Sequence, residues 1–278
     1  MARANALYYA THDPFADFTT APEITQAFGE VLGAWAAITW TAMGRPDPVI
    51  LAEAGPGRGT LMADALRLIG RVAPDFRAAL RLHLVESSPR LRLAQAALLP
   101  GATWHDAVAA LPPGPMILLA NEFLDALPIR QFLRRGDAWV ERYVADGAWA
   151  EQPVPPEALP DAGWTGAIHE YRDPALAALI GQRLRDHGGA ALFLDYGPLA
   201  SGPGDSLQAL RDGKPADPLA TPGTADLTAH VDFAAFAPAP PGPPRMARCR
   251  RASSSPGSAC SSASTAWPAG CRRARPWR

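Results

Sequence analysis

The chain has 278 residues, 48% of them hydrophobic, which suffices for one large α/β domain with a packed core. No apolar run reaches the ~18 residues that a membrane-spanning helix needs, so we expect no membrane span. The net charge of −1 conceals an acidic body, because residues 1–237 hold 18 Lys or Arg against 27 Asp or Glu, and such a body argues against nucleic-acid binding.

The N-terminal half of the chain alternates helical apolar patterns with short apolar runs. A helix is predicted over residues 22–43, with Thr19 or Thr20 as its N-cap and Pro22 in its first turn. Buried strands are predicted over residues 49–53, 80–86, 102–105 and 116–120, and helices over residues 60–72 and 89–99. This order predicts a mostly parallel, Rossmann-like α/β sheet with helices on both faces.

The C-terminal half adds a hairpin and the last predicted strand. Alternation over residues 131–144, with a turn at Gly136-Asp137, predicts a β-hairpin insertion over residues 131–145. A Pro-rich loop is predicted over residues 151–165, a helix over 174–186 and a buried strand over 189–195. Residues 197–224 are rich in Pro, Gly and Asp and are predicted to form a long loop.

Residues 238–278 differ from the rest of the chain in composition. They contain eight Arg and no acid, and no Leu, Ile, Val, Phe or Tyr. Such a segment cannot bury enough apolar surface to offset the entropy of ordering it, so we predict a disordered tail after a domain of residues 1–237. We interpret this tail as translation out of frame in a GC-rich gene. A basic arm for RNA or acidic partners and a plain unstructured tail are the alternatives.

Neither metal nor thiol chemistry is predicted for the domain. The three cysteines of the chain lie in the tail, at Cys249, Cys260 and Cys271, with a spacing that fits no zinc pattern. The six histidines form no ligand-spaced pair, so we expect no metal. The first residues contain no apolar stretch before a cleavage site, so we expect no secretory signal and a cytoplasmic protein.

A glycine-rich turn follows the first predicted strand. Glu53 is followed by Gly55, Gly57 and Gly59, in the pattern E-x-G-x-G-x-G between a strand and a helix. Glycines there permit a tight turn and let the backbone approach a ligand at the helix N-terminus. The spacing is that of methyltransferases, although a simple strand-to-helix turn would also explain it. A dinucleotide fingerprint requires glycine where Thr60 stands.

Acidic residues follow the next two strands of the predicted sheet. Glu86 ends the second strand, where a carboxylate can accept hydrogen bonds from both hydroxyls of a ribose. Asp106 follows the third strand and could meet an adenine amine. A solvated acid at a strand end is the alternative reading of both residues.

Polar residues also follow the fourth and fifth strands. Asn121, Glu122 and Asp125 come after the fourth strand, and Asp195-Tyr196 ends the fifth. Because the carboxyl ends of parallel strands line the ligand crevice, these residues are predicted to lie at one site. Two carboxylates and an amide there could hold a cationic methyl acceptor, and helix capping by Asn121 or Asp125 is the alternative.

Six ordered blocks of the chain resemble the MidA-type methyltransferases, a family that includes a mitochondrial complex I assembly factor. The blocks are residues 17–30, 53–67, 84–89, 121–132, 194–197 and 224–233. The resemblance implies a class I methyltransferase fold and S-adenosylmethionine as cofactor. It also implies a protein arginine as acceptor, since the mitochondrial member methylates an arginine of a complex I subunit.

The resemblance also implies the roles of particular residues. By position in the family's motifs, Gly55, Gly57, Gly59 and Glu86 would bind the cofactor. To these we add our own candidates from the strand ends: Glu53, Asp106 and Asn121 for the cofactor, and Glu122 and Asp125 to orient the arginine and receive its proton. Pro22, Glu23 and Gln26 would belong to a helix beside the site. An arginine-containing protein is thus the expected partner, with no nucleic acid.

One departure from the family affects the end of the fold. The family continues after residues 230–233 with ordinary apolar α/β sequence, which residues 238–278 replace here. We therefore expect the last strands of the sheet, usually an antiparallel hairpin, to be missing. A non-catalytic assembly factor that keeps the methyltransferase fold is the alternative function, and a nicotinamide dehydrogenase is disfavoured by Thr60.

Overall fold

The computed structural model describes residues 1–12, 20–161 and 163–236. The tail predicted to be disordered therefore lies outside the described residues, as does Thr19. The helices are α1 (Ala2–Thr11), α2 (Ala21–Ile24), α3 (Gln26–Ala42), α4 (Thr60–Val72), α5 (Pro74–Ala79), α6 (Pro89–Leu98), α7 (Ala175–His187) and α8 (Phe233–Phe236). In the described part of the chain, none of them is long and apolar enough to cross a membrane.

Twelve strands lie between these helices in the described ranges. They are β1 (Val49–Ala54), β2 (Leu80–Val85), β3 (Thr103–His105), β4 (Met116–Asn121), β5 (Arg130–Arg135), β6 (Ala138–Ala145), β7 (Ala148–Val154), β8 (Ile168–Tyr171), β9 (Gly189–Leu194), β10 (Gln208–Arg211), β11 (Lys214–Ala216) and β12 (Asp226–Thr228). Short 3-10 turns occur at Val108–Ala110 and Pro156–Ala158.

The central sheet has five parallel strands in the order β3-β2-β1-β4-β9. Alternate residues of β1 face opposite layers of the core, as the pleat of a strand requires. Leu51 packs with Leu61 and Phe76 from the helices of one face, whereas Ile50 packs with Ile180 from α7 on the other. The predicted parallel sheet with helices on both faces is confirmed.

Strand β9 is less buried than its sequence suggests. All of its residues are only half-buried, whereas every residue of β4 is buried. The prediction of a buried strand is wrong here because, among the described residues, β9 pairs with β4 alone and forms the edge of the sheet. Its apolar sequence is typical of a strand that is buried on both faces of a parallel sheet.

The predicted first helix over residues 22–43 is two helices, α2 and α3. Thr25 interrupts it with extended backbone angles (φ −154°, ψ 130°), and its hydroxyl accepts a hydrogen bond from the amide of Ala27 as the N-cap of α3. Gly29 and Gly33 then let α3 approach α4 closely, since a Cβ at Gly29 would lie 2.6 Å from the carbonyl oxygen of Leu61. The two glycines therefore allow α3 and α4 to pack in direct backbone contact.

The predicted hairpin is confirmed and belongs to a larger antiparallel sheet, β7-β6-β5-β8. Its turn is at Gly136-Asp137, between Arg135 and Ala138, which pair across the hairpin. The loop predicted over residues 151–165 is wrong at its start, because β7 continues to Val154. Pro153 is tolerated there because β7 is an edge strand, where a missing N–H breaks no ladder.

The long loop predicted over residues 197–224 is also wrong in part. It contains β10 and β11, which join β12 in an antiparallel sheet with the order β11-β10-β12. Asp212 (φ +52°) and Gly213 (φ +69°) form the two-residue turn between β10 and β11. Asp-Gly is a strong hairpin signal, and the Pro and Gly content of the surrounding segment masks it.

Candidate active site

A cavity of about 720 Å³ lies at the carboxyl ends of the central strands. Its walls include Gly55 after β1, Glu86 after β2, and Asn121 and Glu122 at the end of β4. This is the position at which open parallel sheets bind ligands. The structure thus brings most of the predicted site residues to one cavity.

The glycine loop forms the floor of this cavity next to the N-terminus of α4. Gly55 (φ +67°) and Gly57 (φ +55°) line the cavity with left-handed backbone angles that other residues rarely adopt. Gly59 is not among the lining residues. A Cβ at Gly59 would lie 3.0 Å from Leu99 Cδ1, so this glycine allows α6 to pack against the loop.

Glu53 is a buried carboxyl group at the bottom of the cavity. Its side chain is 2% exposed, and its Oε2 atom has no hydrogen-bond partner among the described residues. Burial raises the pKa of Glu53 from 4.5 to about 8. Asn121 Oδ1 in the same cavity is likewise buried without a described partner. Both oxygens suit a ligand that donates hydrogen bonds.

Glu86 is held in the cavity wall by the residues that follow it. Its Oε1 accepts a hydrogen bond from the Ser88 amide (2.7 Å) and its Oε2 from Gln95 Nε2 (3.3 Å). Burial raises the pKa of Glu86, and these hydrogen bonds oppose the rise. Gln95 Nε2 also donates to the carbonyl of Gly57 (2.7 Å), and Trp104 Nε1 donates to Gln95 Oε1 (2.8 Å). Gln95 is a site residue that the sequence pattern of α6 does not reveal.

Other predicted residues lie at the rim of the cavity or behind it. Asp106 lines the mouth, with its side chain 86% exposed and 2.6 Å from Arg92. Glu23 on α2 lines the wall and accepts a hydrogen bond from Thr60 Oγ1 (2.6 Å). Gln26 does not line the cavity and instead accepts a hydrogen bond from Arg67 (3.1 Å).

Glu122 and Asp125 both line the cavity after β4. Glu122 has a φ of +47°, a strained angle for a residue with a Cβ, and its amide donates to the carbonyl of Leu194 (2.8 Å). Asp195 Oδ2 accepts hydrogen bonds from the amides of Leu124 and Asp125. Burial raises the pKa of Asp125, and burial together with the charge of Asp125 raises the pKa of Asp195 to about 7.

Two more polar residues of the cavity come from distant parts of the chain. Tyr9 on α1 and Asp226 on β12 both line the cavity, and Tyr9 Oη donates to Asp226 Oδ1 over 2.7 Å. Burial, and secondarily the charge of Asp226, raises the pKa of Tyr9. The two residues are 217 positions apart, so no local pattern links them. Only the resemblance of residues 224–233 to the family pointed to this strand.

The described lining of the cavity is strongly acidic. It contains seven carboxyl side chains and no Lys, Arg or His. The carboxyl residues are Glu23, Glu53, Glu86, Asp106, Glu122, Asp125 and Asp226. Glu23 and Asp106 each lie near an arginine outside the lining, Arg58 at 3.8 Å and Arg92 at 2.6 Å. Four of the other acids, Glu53, Glu86, Asp125 and Asp226, are buried, and because burying carboxylates is costly this lining suits positively charged ligands.

Comparisons with known proteins point to one family. The model of a family described as “Putative S-adenosyl-L-methionine-dependent methyltransferase” matches residues 31–240. The chain is 35% identical to “Protein arginine methyltransferase NDUFAF7 homolog, mitochondrial” of Drosophila melanogaster, over 84% of this chain and 62% of that protein. It is 34% identical to the Homo sapiens protein of that type, over 82% of this chain and 60% of that protein. The chain therefore spans less than two thirds of the length of these relatives.

Two solved structures from Burkholderia thailandensis have the same fold. One is a “likely methyl transferase” bound to S-adenosyl-homocysteine, with a TM-score of 0.65 and 28% identity over 79% of this chain and 61% of that one. The other is a native structure of an uncharacterised protein that is assigned to the same superfamily as the first. Its TM-score is 0.67, with 26% identity over 84% of this chain and 68% of that one. Both agree with the parallel sheet described above.

Proposed function

The chain belongs to the family of S-adenosyl-L-methionine-dependent methyltransferases whose model matches residues 31–240, and from this premise we propose that it transfers a methyl group from S-adenosylmethionine to a protein arginine. The observation that carries the proposal is the cavity lining, with seven carboxyl groups and, in its described part, no basic residue. Both the sulfonium cofactor and a guanidinium acceptor are cations, so such a lining attracts both.

The residues of the glycine loop fit the cofactor. Gly55 and Gly57 would let the backbone approach the ligand, and Glu86 would accept hydrogen bonds from the ribose hydroxyls. Glu53 Oε2, buried without a described partner, would accept a hydrogen bond from the ammonium group of the cofactor. Asp106 at the rim would face the adenine, and Asn121 would contact the ligand through its buried Oδ1.

The acidic residues after β4 fit the acceptor. When bound, the cofactor supplies an electrophilic methyl group on a positively charged sulfur. The acceptor nitrogen forms a bond to that carbon while the carbon–sulfur bond breaks, and the nitrogen must lose one proton. Glu122 and Asp125 would orient the guanidinium and take up this proton. Burial raises the pKa of Asp125, which makes its carboxylate a better base.

The names of two relatives support arginine as the acceptor. The Drosophila melanogaster and Homo sapiens relatives are named protein arginine methyltransferases. An arginine-containing protein is therefore the proposed partner, and a subunit of a respiratory complex is the first protein to test, as the family resemblance implies.

One experiment tests the proposal directly. The full chain is incubated with methyl-labelled S-adenosylmethionine and candidate proteins, and methylarginine is sought by mass spectrometry. We expect methylarginine with the wild-type chain and none with Gly57→Val. Binding of S-adenosylhomocysteine without any methylated product would favour the non-catalytic assembly factor instead.

A further inference from the structure

Helix α1 contributes Ala2, Asn5, Ala6 and Tyr9 to the lining of the cavity. Its Asn5 side chain donates to the carbonyls of Ala126 (3.0 Å) and Leu227 (2.8 Å) and accepts from the amide of Leu227 (3.2 Å). These three hydrogen bonds attach α1 both to the segment after β4 and to β12. Tyr9, Asp125 and Asp226 all line the cavity.

Two buried aspartates, Asp125 and Asp226, line the cavity together with Tyr9. Tyr9 Oη donates a hydrogen bond to Asp226 Oδ1 over 2.7 Å. The segments that carry the two aspartates are joined directly, because the amide of Ala229, just after β12, donates to the carbonyl of Asp125 over 3.0 Å. Both aspartates are 4% exposed, and both line the cavity.

A separate observation indicates that this part of the cavity takes a ligand. Asn121 is 8% exposed and lines the same cavity, and its Oδ1 atom has no hydrogen-bond partner in the described part of the chain. A buried acceptor is costly without a donor, and the N–H groups of the cofactor or of the methyl acceptor can provide one.

We propose that Asp226, held by Tyr9, forms with Asp125 a pocket for the guanidinium group of the acceptor. This inference rests on the proposed methyltransferase function and names the residues that select its substrate. A guanidinium carries five N–H donors in a planar fork, so two carboxylates can each bind one edge of it. The compact ammonium group of lysine cannot span two such carboxylates in the same way.

The test measures binding rather than turnover. N-acetyl-arginine methylamide is titrated into the full chain saturated with S-adenosylhomocysteine, and heat is recorded. The corresponding citrulline and lysine compounds serve as probes, because citrulline has the shape of arginine without its charge. Asp226→Asn and Tyr9→Phe are compared with the wild type. Asp64→Asn is the matched control, since Asp64 is also buried but does not line the cavity.

The proposal predicts how strongly the wild type and each variant bind these compounds. We expect the arginine compound to bind the wild type, the citrulline and lysine compounds to bind much more weakly, and Asp226→Asn to weaken arginine binding about tenfold or more. Tyr9→Phe should weaken it by about threefold or more, since the hydrogen bond that orients the Asp226 carboxylate is lost. Affinity for S-adenosylhomocysteine should change by less than about twofold in both variants, and Asp64→Asn should bind both ligands like the wild type.

Other outcomes overturn the inference and are distinguishable from failure of the proposed function. If S-adenosylhomocysteine binds but the arginine compound does not, or if Asp226→Asn and Tyr9→Phe bind it as the wild type does, Asp226 is not part of an acceptor pocket. Equal binding of citrulline would exclude recognition of the charge. Failure of the wild type to bind S-adenosylhomocysteine would instead reject the methyltransferase function itself. If Asp226→Asn does not fold, Tyr9→Phe alone decides between these outcomes.

Discussion

The side-chain amide of Gln95 donates a hydrogen bond to the carbonyl oxygen of Gly57 over 2.7 Å, across 38 positions of the chain. The same nitrogen lies 3.3 Å from Glu86 Oε2, and Gln95 Oε1 accepts from Trp104. One buried side chain therefore connects the glycine loop to the acid proposed to bind the ribose. It positions both without being one of the residues that line the cavity.

Replacing Gln95 by Leu should loosen both parts of the cofactor site. The variant keeps a similar volume but leaves the Gly57 carbonyl, Glu86 and the Trp104 N–H without this partner, at a cost of about 1–3 kcal/mol in unfolding free energy. We expect weaker binding of S-adenosylhomocysteine as well, measured by calorimetry. Gln182→Leu is the control, because Gln182 is exposed on α7 and bonds only to neighbours on that helix. Unchanged affinity in the Gln95 variant would mean that the loop holds its shape without this residue.

A side chain at Gly57 should block cofactor binding. Gly57 lines the cavity with a φ of +55°, so Gly57→Val adds both backbone strain and bulk within the ligand's space. Gly44→Val is the matched control, since Gly44 also has a positive φ of +85° but has no atom within 4 Å of its added Cβ. Both variants should lose stability by about 1 kcal/mol or more, but only Gly57→Val should lower affinity for S-adenosylhomocysteine, by about tenfold or more. An equal loss in both would attribute the effect to strain alone.

Glu122→Gln should separate turnover from cofactor affinity. If Glu122 takes up the acceptor proton, the variant should lower kcat by about a hundredfold or more, as loss of a general base does. Affinity for S-adenosylhomocysteine, measured by calorimetry, should stay within about twofold of the wild type. Glu141→Gln is the control, because Glu141 pairs with Arg130 away from the cavity. Equal losses of turnover and cofactor affinity would show that Glu122 serves the cofactor.

The sequence predicts the central sheet well because its strands are short apolar runs that alternate with helices. Strands such as β4, buried on both faces, have a pattern that does not depend on distant residues. The sequence predicts the burial of β9 less well. That burial depends on whether another element covers the strand, and the residues of β9 do not encode whether such an element is there. The positions of Glu53, Glu86 and Glu122 follow from strand ends in the same way.

The rest of the site depends on long-range contacts that no local pattern encodes. Tyr9 reaches Asp226 only because Asn5 attaches α1 to β12, and neither α1 nor β12 has an apolar run long enough to be recognised. Gln95 lies on a helix whose sequence gives no reason to point a polar residue inwards. Gly59 is an example of the opposite error, a residue that the motif predicts for the site but that does not line the cavity. Its lack of a Cβ makes room for Leu99 rather than for the ligand.

The stability of the chain should depend on pH through Glu53, and Glu53→Gln should remove that dependence. The pKa of Glu53 rises from 4.5 to about 8 on folding because burial disfavours its charge. A carboxyl group whose pKa is raised in the folded state stabilises that state below the unfolded pKa, and this contribution is lost as pH rises towards the folded pKa. Each pH unit in that window lowers the unfolding free energy by about 1.4 kcal/mol for one proton.

In urea unfolding at several pH values, the advantage of Glu53→Gln over the wild type should therefore grow from about pH 5 to about pH 8 and then stay constant. Glu151→Gln, on an exposed carboxylate, serves as the comparison. If the unfolding free energies of Glu53→Gln and the wild type change in parallel over this pH range, Glu53 keeps its ordinary pKa. Its carboxyl group is then not a buried group suited to binding a cation.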